Sequence, residues 1–153
     1  SLDLNKLAEF AFSDKKYQQI LNEIMWPNVH TLIKSTAEKA TKNNIDLFIV
    51  DAALLFEAGY TDFFDSILLI TAPTSLRIKR ILDRDDISIQ QIRSRMDLQM
   101  LDSEKKVLAN YTIENNRDLD QFYNNLEIYY RSIILKYLQL LFLMILLLKN
   151  LYF

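Results

Sequence analysis

Gly59 is the only glycine among 153 residues, and that removes several sites from consideration at once. Phosphate-binding loops, dinucleotide fingerprints and tight hairpins all use glycine, either for positive φ or to let a ligand approach the backbone. None of them can be built from this chain's own residues. The chain opens on Ser1 with no basic leader and apolar core behind it, so it is expected to have been either processed or, as the better reading, cut from something longer. Cysteine is absent and there is one histidine, so neither a thiolate metal site nor a zinc centre is expected, and a reducing, cytoplasmic setting suits the composition. The formal net charge of -2 argues against a general nucleic-acid binder. Any basic site must therefore be local.

The hydrophobic pattern reads as one domain of α/β type. Ser13 is placed to cap a helix toward Met25. After Pro27, where a new helix is expected to start, Val29, Leu32, Ile33, Ala37 and Ala40 recur at helical spacing. The runs Leu47 to Val50 and Ile67 to Ile70 are short and wholly apolar, as in strands of a parallel sheet covered on both faces. Asp51 to Asp65 is long enough for the crossover between them. Thr74-Ser75 opens a further helix, Ser88 with Gln91 forms a capping box for a helix through Leu101, and Tyr111 to Glu114 is a third candidate strand. A last helix begins at Asp118, with Leu119, Phe122, Leu126, Tyr129 and Ile133 as its apolar stripe. From Tyr137 to Leu148 only Gln139 interrupts an apolar run. It is short of the roughly 20 residues that span a bilayer and too uniformly apolar for an amphipathic core helix. An artefactual end and a tail that packs or touches a membrane both fit it.

Chemistry is concentrated where arginine is. Lysine outnumbers arginine 11 to 7, yet Arg77, Arg80, Arg84, Arg93 and Arg95 crowd one short stretch. The guanidinium fork matches phosphate oxygens bidentately, which a lysine cannot do, and Arg77, Arg80 and Arg84 would share a helix face. The competing reading is a solvated face paired with Asp83, Asp85, Asp86 and Asp97. Asp51 follows the first candidate strand, where open parallel sheets bind ligands, and Glu57 is the second carboxylate there; a helix cap explains such an acid as well. His30 reads as an ordinary surface histidine. Phe10, Phe12, Phe63, Phe64 and Tyr129 read as core.

Taken in order, these segments resemble dephospho-coenzyme A kinases over about four-fifths of the chain, from Leu4 to Tyr130. Lys6-Leu7-Ala8 and Phe12-Ser13-Asp14 precede Leu21-Asn22-Glu23-Ile24 and Trp26-Pro27, where the family usually has His-Pro. Leu54-Leu55-Phe56-Glu57 is similar to its Pro-Leu-Leu-Phe-Glu segment, with Ala53 in place of the proline. Asp65, then Arg80 and Arg84-Asp85-Asp86, resemble the approach to its lid. Arg95, Gln99, Lys105, Ala109 and Ile113-Glu114-Asn115 follow its spacing into the last strand.

The resemblance implies a P-loop NTPase-like three-layer α/β fold with a parallel sheet and a helical lid, incomplete at the N-terminus. Residues 1–131 would form a partial kinase domain with its lid at about 80–103, and 132–153 the apolar tail. The implied reaction is transfer of the ATP γ-phosphoryl to the ribose 3′-hydroxyl of dephospho-coenzyme A, with magnesium, the last step of coenzyme A synthesis. Arg80 and Arg84 would close over the nucleotide and offset transition-state charge, with Arg95 beside them. Gln99 and Asn115 would hold lid and base-side geometry, and Asp51, Leu54, Leu55 and Glu57 would line the acceptor. The family's Gly-rich loop and general-base aspartate match nothing in this chain, so the chain alone is expected to be inactive. Asn110, in the family's usual aspartate position, and Arg117, in its usual glycine position, are further departures. Two alternatives stand beside this reading: another P-loop nucleoside or nucleotide kinase, and a non-catalytic protein whose tail meets a membrane or partner.

Overall fold

The structure, a computed structural model, describes residues 3–11, 13–116 and 118–151, the side chains of 4, 5, 8, 9 and 137–151 excepted. Phe12, Arg117 and the side chains of the apolar run lie outside the described residues. Two compact units share the chain, one of residues 1–65 with 78–108, the other of 66–77 with 109–153.

The first unit begins with α1 (Leu4–Ala11) and the long α2 (Lys15–Lys42). Asp14, not Ser13, caps α2: its side chain accepts from Lys16 N–H at 2.7 Å, while the Ser13 hydroxyl donates back to Phe10 O at 2.8 Å. Nor does Pro27 start a new helix, since α2 runs through it. Proline costs one helical hydrogen bond, but here Asn28 Nδ2 bonds Ile24 O at 2.9 Å and Thr31 Oγ1 bonds Pro27 O at 2.8 Å, so the turn around the break is tied by side chains. The stripe Val29, Ile33, Ala37 and Ala40 is half-buried, whereas Leu32 is exposed. Beyond the Asn43 cap, Asn44 N–H bonds Thr41 O, Ile45 N–H bonds Ala40 O, and Asn44 takes φ 53°. This is a Schellman ending with asparagine in the left-handed position usually given to glycine.

Leu47 to Val50 is not a strand. A strand exists only through its ladder partner, and among the described residues this run has none. Leu47, Phe48 and Ile49 are left 40, 38 and 74% exposed. The segment that follows is turn rather than crossover helix: Ala58 N–H bonds Leu54 O, Gly59 N–H bonds Phe56 O, and Gly59 takes φ 72°. The chain's one glycine stands where backbone strain would penalise any side chain. A 3₁₀ turn, Thr61–Phe63, comes next. After the body of α3 (Thr74–Arg84), α4 (Ile89–Asp97) starts at the expected capping box, Ser88 N–H on Gln91 Oε1 at 2.9 Å and Gln91 N–H on Ser88 Oγ at 3.2 Å.

The helix expected to reach Leu101 stops at Asp97, and α5 (Asp102–Leu108) begins anew. Two glutamates fix the corner: Met100 N–H donates to Glu57 Oε1 at 2.9 Å and Leu101 N–H to Glu104 Oε2 at 3.0 Å. Ile92 is 1% exposed at the centre of α4. Ile92→Ala is expected to cost about 2–5 kcal/mol, the range for emptying a buried aliphatic site, read as a lowered denaturant midpoint at unchanged slope.

In the second unit β1 (Leu68–Thr71) pairs in parallel with β2 (Tyr111–Glu114), with Leu68 opposite Tyr111 and Ile70 opposite Ile113. Asn110 starts the ladder: its Oδ1 accepts from Ile67 N–H at 2.7 Å while its own N–H donates to Ile67 O at 3.0 Å. A carboxylate oxygen would accept the same bond, so asparagine loses nothing here. Asp118 caps α6 (Leu119–Leu151) by accepting from Gln121 N–H at 2.8 Å. Phe122, Leu126, Tyr129 and Ile133 are its half-buried stripe, Leu119 being 62% exposed. Tyr129 stacks on Tyr111, ring centroids 5.0 Å apart, and its hydroxyl shares a 2.9 Å hydrogen bond with Ser66. Among the described residues no helix is long and apolar enough to cross a membrane.

Candidate functional site

In the first unit, the Leu54–Gly59 turn sets its residues facing different ways. Leu55 and Phe56 are 8 and 9% exposed, Leu54 is half-buried and Asp51 is exposed. Glu57 is turned inward. Its Oε1 accepts from Met100 N–H and lies 2.8 Å from Lys105 Nζ, whose side chain is 8% exposed. The Phe56 ring centroid is 5.9 Å from the same ammonium.

Within the arginine-rich stretch, Arg84 binds Asp85 and Arg95 lies near it. Arg84 Nε and Nη2 donate to the two Asp85 oxygens at 3.0 and 2.7 Å, a bidentate pair on the surface. That hydrogen bond, aided by the Arg84 charge and by Arg95 nearby, holds the Asp85 carboxyl below its usual range, and it raises Arg84 above its own. The solvated-face reading is thus what Arg84 shows in isolation. A carboxylate that can hold the fork also marks a position where phosphate oxygens can. Arg80 is exposed, while Arg77, Arg95 and Gln99 are half-buried.

Asn115 belongs to the second unit, where its N–H donates to Thr71 O at 2.7 Å across the carboxyl ends of β1 and β2. Beside it opens a concavity of about 260 Å³ whose polar lining includes Glu114, Asn116, Asp118, Gln121 and Asn125. Sequence reasoning passed over this hollow, although the density of hydrogen-bonding residues after β2 was a visible signal. Two further readings change. His30 is no ordinary surface residue: it stacks on Tyr60 at 4.9 Å and meets Phe63 edge-on at 4.8 Å, and Tyr60 leans on Trp26. Phe10 and Phe63 are 63 and 40% exposed, not core. Phe10 has an edge contact with Tyr17, and Phe63 has edge contacts with His30 and Phe64, which leave part of each ring open.

Among the described residues no group of three or more His, Asp or Glu is arranged to hold a metal. The described residues do not fit a magnesium site of their own.

A family model described as dephospho-CoA kinase matches residues 1–121. The chain is 33% identical over 120 residues to the dephospho-CoA kinase of Salinibacter ruber, covering 78% of this chain and 60% of that protein. It is 32% identical over 127 residues to that of Fusobacterium nucleatum, covering 83 and 64%. It thus spans less than two thirds of the curated relatives' length. Among solved structures, the dephospho-CoA kinase from Campylobacter jejuni superposes with a TM-score of 0.57 at 28% identity, covering 87% of this chain and 66% of that one. A Thermus thermophilus protein gives 0.62 at 25%, covering 86 and 67%. The α/β class and parallel sheet read from the sequence agree with these neighbours, whose fold is P-loop NTPase-like. With most of its length matched by one family model and by relatives of one name, the chain belongs to the dephospho-CoA kinase family.

Proposed function

We propose that this chain supplies the acceptor side, lid and base side of an enzyme that phosphorylates the ribose 3′-hydroxyl of dephospho-CoA with ATP. The observation that carries the reading is that one compact unit holds the Leu54–Glu57 turn together with Arg80, Arg84 and Arg95. Residues 1–131 make up the partial kinase domain, with the lid at about 80–103, and 132–153 are a tail without a part in the chemistry. Leu54 and Leu55 present an apolar wall to the acceptor, and Asp51 lies at its exposed end. Arg80 and Arg84 meet the ATP phosphates, with Arg84 exchanging Asp85 for phosphate oxygens, and Arg95 adds positive charge beside them. In phosphoryl transfer the protein chiefly positions reactants and offsets charge spread over the equatorial oxygens, which is work that guanidinium groups suit. Gln99 steadies the lid, and Asn115, with the hollow beyond β2, takes the base side. Magnesium, which this reaction class uses to neutralise the phosphates, would draw its ligands from elsewhere in the enzyme.

Acceptor binding needs no P-loop, so it can be measured on the chain itself. Calorimetric titration with dephospho-CoA is expected to show one saturable site, with AMP binding at least about tenfold more weakly, a difference of roughly 1.4 kcal/mol. Equal affinities would favour a nucleotide kinase. No binding of either would remove the acceptor-side reading.

A further inference from the structure

Glu57 and Lys105 form the most thoroughly buried charged pair among the described residues, 13 and 8% exposed at the side chains and 2.8 Å apart. Glu57 Oε1 serves both Lys105 and Met100 N–H, while Oε2 is buried with no hydrogen-bond partner among the described residues. As a stabilising device this is poor. Desolvating two charges consumes most of their attraction, and an orphaned carboxylate oxygen adds to the cost. An apolar pair of the same volume would serve the core at least as well. What the pair provides is geometry, because one carboxylate ties the Leu54–Gly59 turn both to the α4–α5 corner at Met100 and to α5 at Lys105.

We propose that Glu57 and Lys105 are positioning residues, which hold Leu54 and Leu55 in register for the acceptor without touching it. The inference rests on the acceptor-side reading above, and it moves Glu57 from substrate contact to support. In the sequence Lys105 stands among the residues that follow the family's spacing, with no role of its own. The turn has no regular ladder of its own and so depends on this tether. Displacing Leu54 and Leu55 by about one ångström would spoil an apolar wall.

The test compares the full chain with Lys105→Met and with Glu57→Gln/Lys105→Met. The single variant buries an unpaired carboxylate. The double variant removes both charges and keeps an acceptor for Met100 N–H, so it is expected to melt within a few degrees of the parent chain. In both, hydrogen exchange at residues 54–59 is expected to quicken at least about tenfold while α2 is unchanged. Dephospho-CoA affinity is expected to fall at least about tenfold. The double variant keeps its stability but not its affinity, a split that a merely structural role would not produce. Parent-like exchange at 54–59, or parent-like affinity in the double variant, would overturn the proposal. Failure of the unmodified chain to bind dephospho-CoA would instead remove the acceptor-side reading on which the proposal rests, and the proposal with it.

Discussion

Mixed with ATP, magnesium and dephospho-CoA, the 153-residue chain is expected to form no measurable coenzyme A, whereas fusion to the amino-terminal third of a relative restores turnover. Gly59, the single glycine, sits at φ 72° in the Leu54–Gly59 turn and so cannot serve a phosphate loop. Without a cradle of backbone N–H groups and its lysine, the β- and γ-phosphates are not held in line with the acceptor. Positioning of that kind contributes about 7–11 kcal/mol in well-oriented reactions, enough to put the chain's own rate beyond detection. The fused segment would act on structure too. Among the described residues β1 pairs with β2 alone, and Ile70 is 50% exposed where parallel sheets are normally covered on both faces. Leu47 to Ile49 is in the same condition. The fusion is therefore expected to unfold at higher denaturant than the chain alone, and to gain at least about 10⁴-fold in rate over it. Turnover by the unfused chain, followed chromatographically as coenzyme A, would defeat the argument.

The same dependence on neighbours explains how much of the fold was legible in the sequence. Ser88 with Gln91 closes the expected capping box because a cap is specified by residues three positions apart, and Tyr111 to Glu114 forms a strand at the expected residues because Leu68 to Thr71 is there to pair with it. Leu47 to Val50 carries the pattern of a buried strand and is none, since a pattern cannot supply a ladder. Pro27 misled because its own break is plain in the sequence while what carries the helix through it is not: Asn28 and Thr31 bond back to Ile24 O and Pro27 O, and Trp26 and His30 rest on Tyr60 from the following loop. The site shows the same division. Arginine crowding was visible as composition and Leu54 to Glu57 as a resemblance, but that Glu57 faces inward to Lys105 depends on a contact between distant segments. No spacing rule reports such a contact.

Arg84→Ala, made in the fused enzyme, is expected to lower kcat about 10²–10³-fold, the usual cost of removing one preorganised donor to a developing negative charge, while the KM for dephospho-CoA changes little. The side chain is 75% exposed and its only described partner is Asp85, so truncation empties no core and should leave folding intact. Arg84→Lys should recover a minor part of the loss, since an ammonium restores charge without the two-pronged fork. Asp85→Asn separates the two readings of the pair. If Asp85 parks the guanidinium until phosphate arrives, the asparagine variant should bind ATP more tightly at unchanged kcat; a solvated ion pair with no further role would leave both alone. The sign with pH follows from the depressed Asp85 carboxyl. Whatever the pair contributes is present above the ordinary aspartate value of 3.8 and is lost as pH falls through the lower folded value. Asp85 therefore stays ionised throughout the neutral range, and the effect of Arg84→Ala on kcat should be flat from about pH 6 to 8. A kcat within a few-fold of the parent would return Arg84 to the solvated face that its spacing alone allowed.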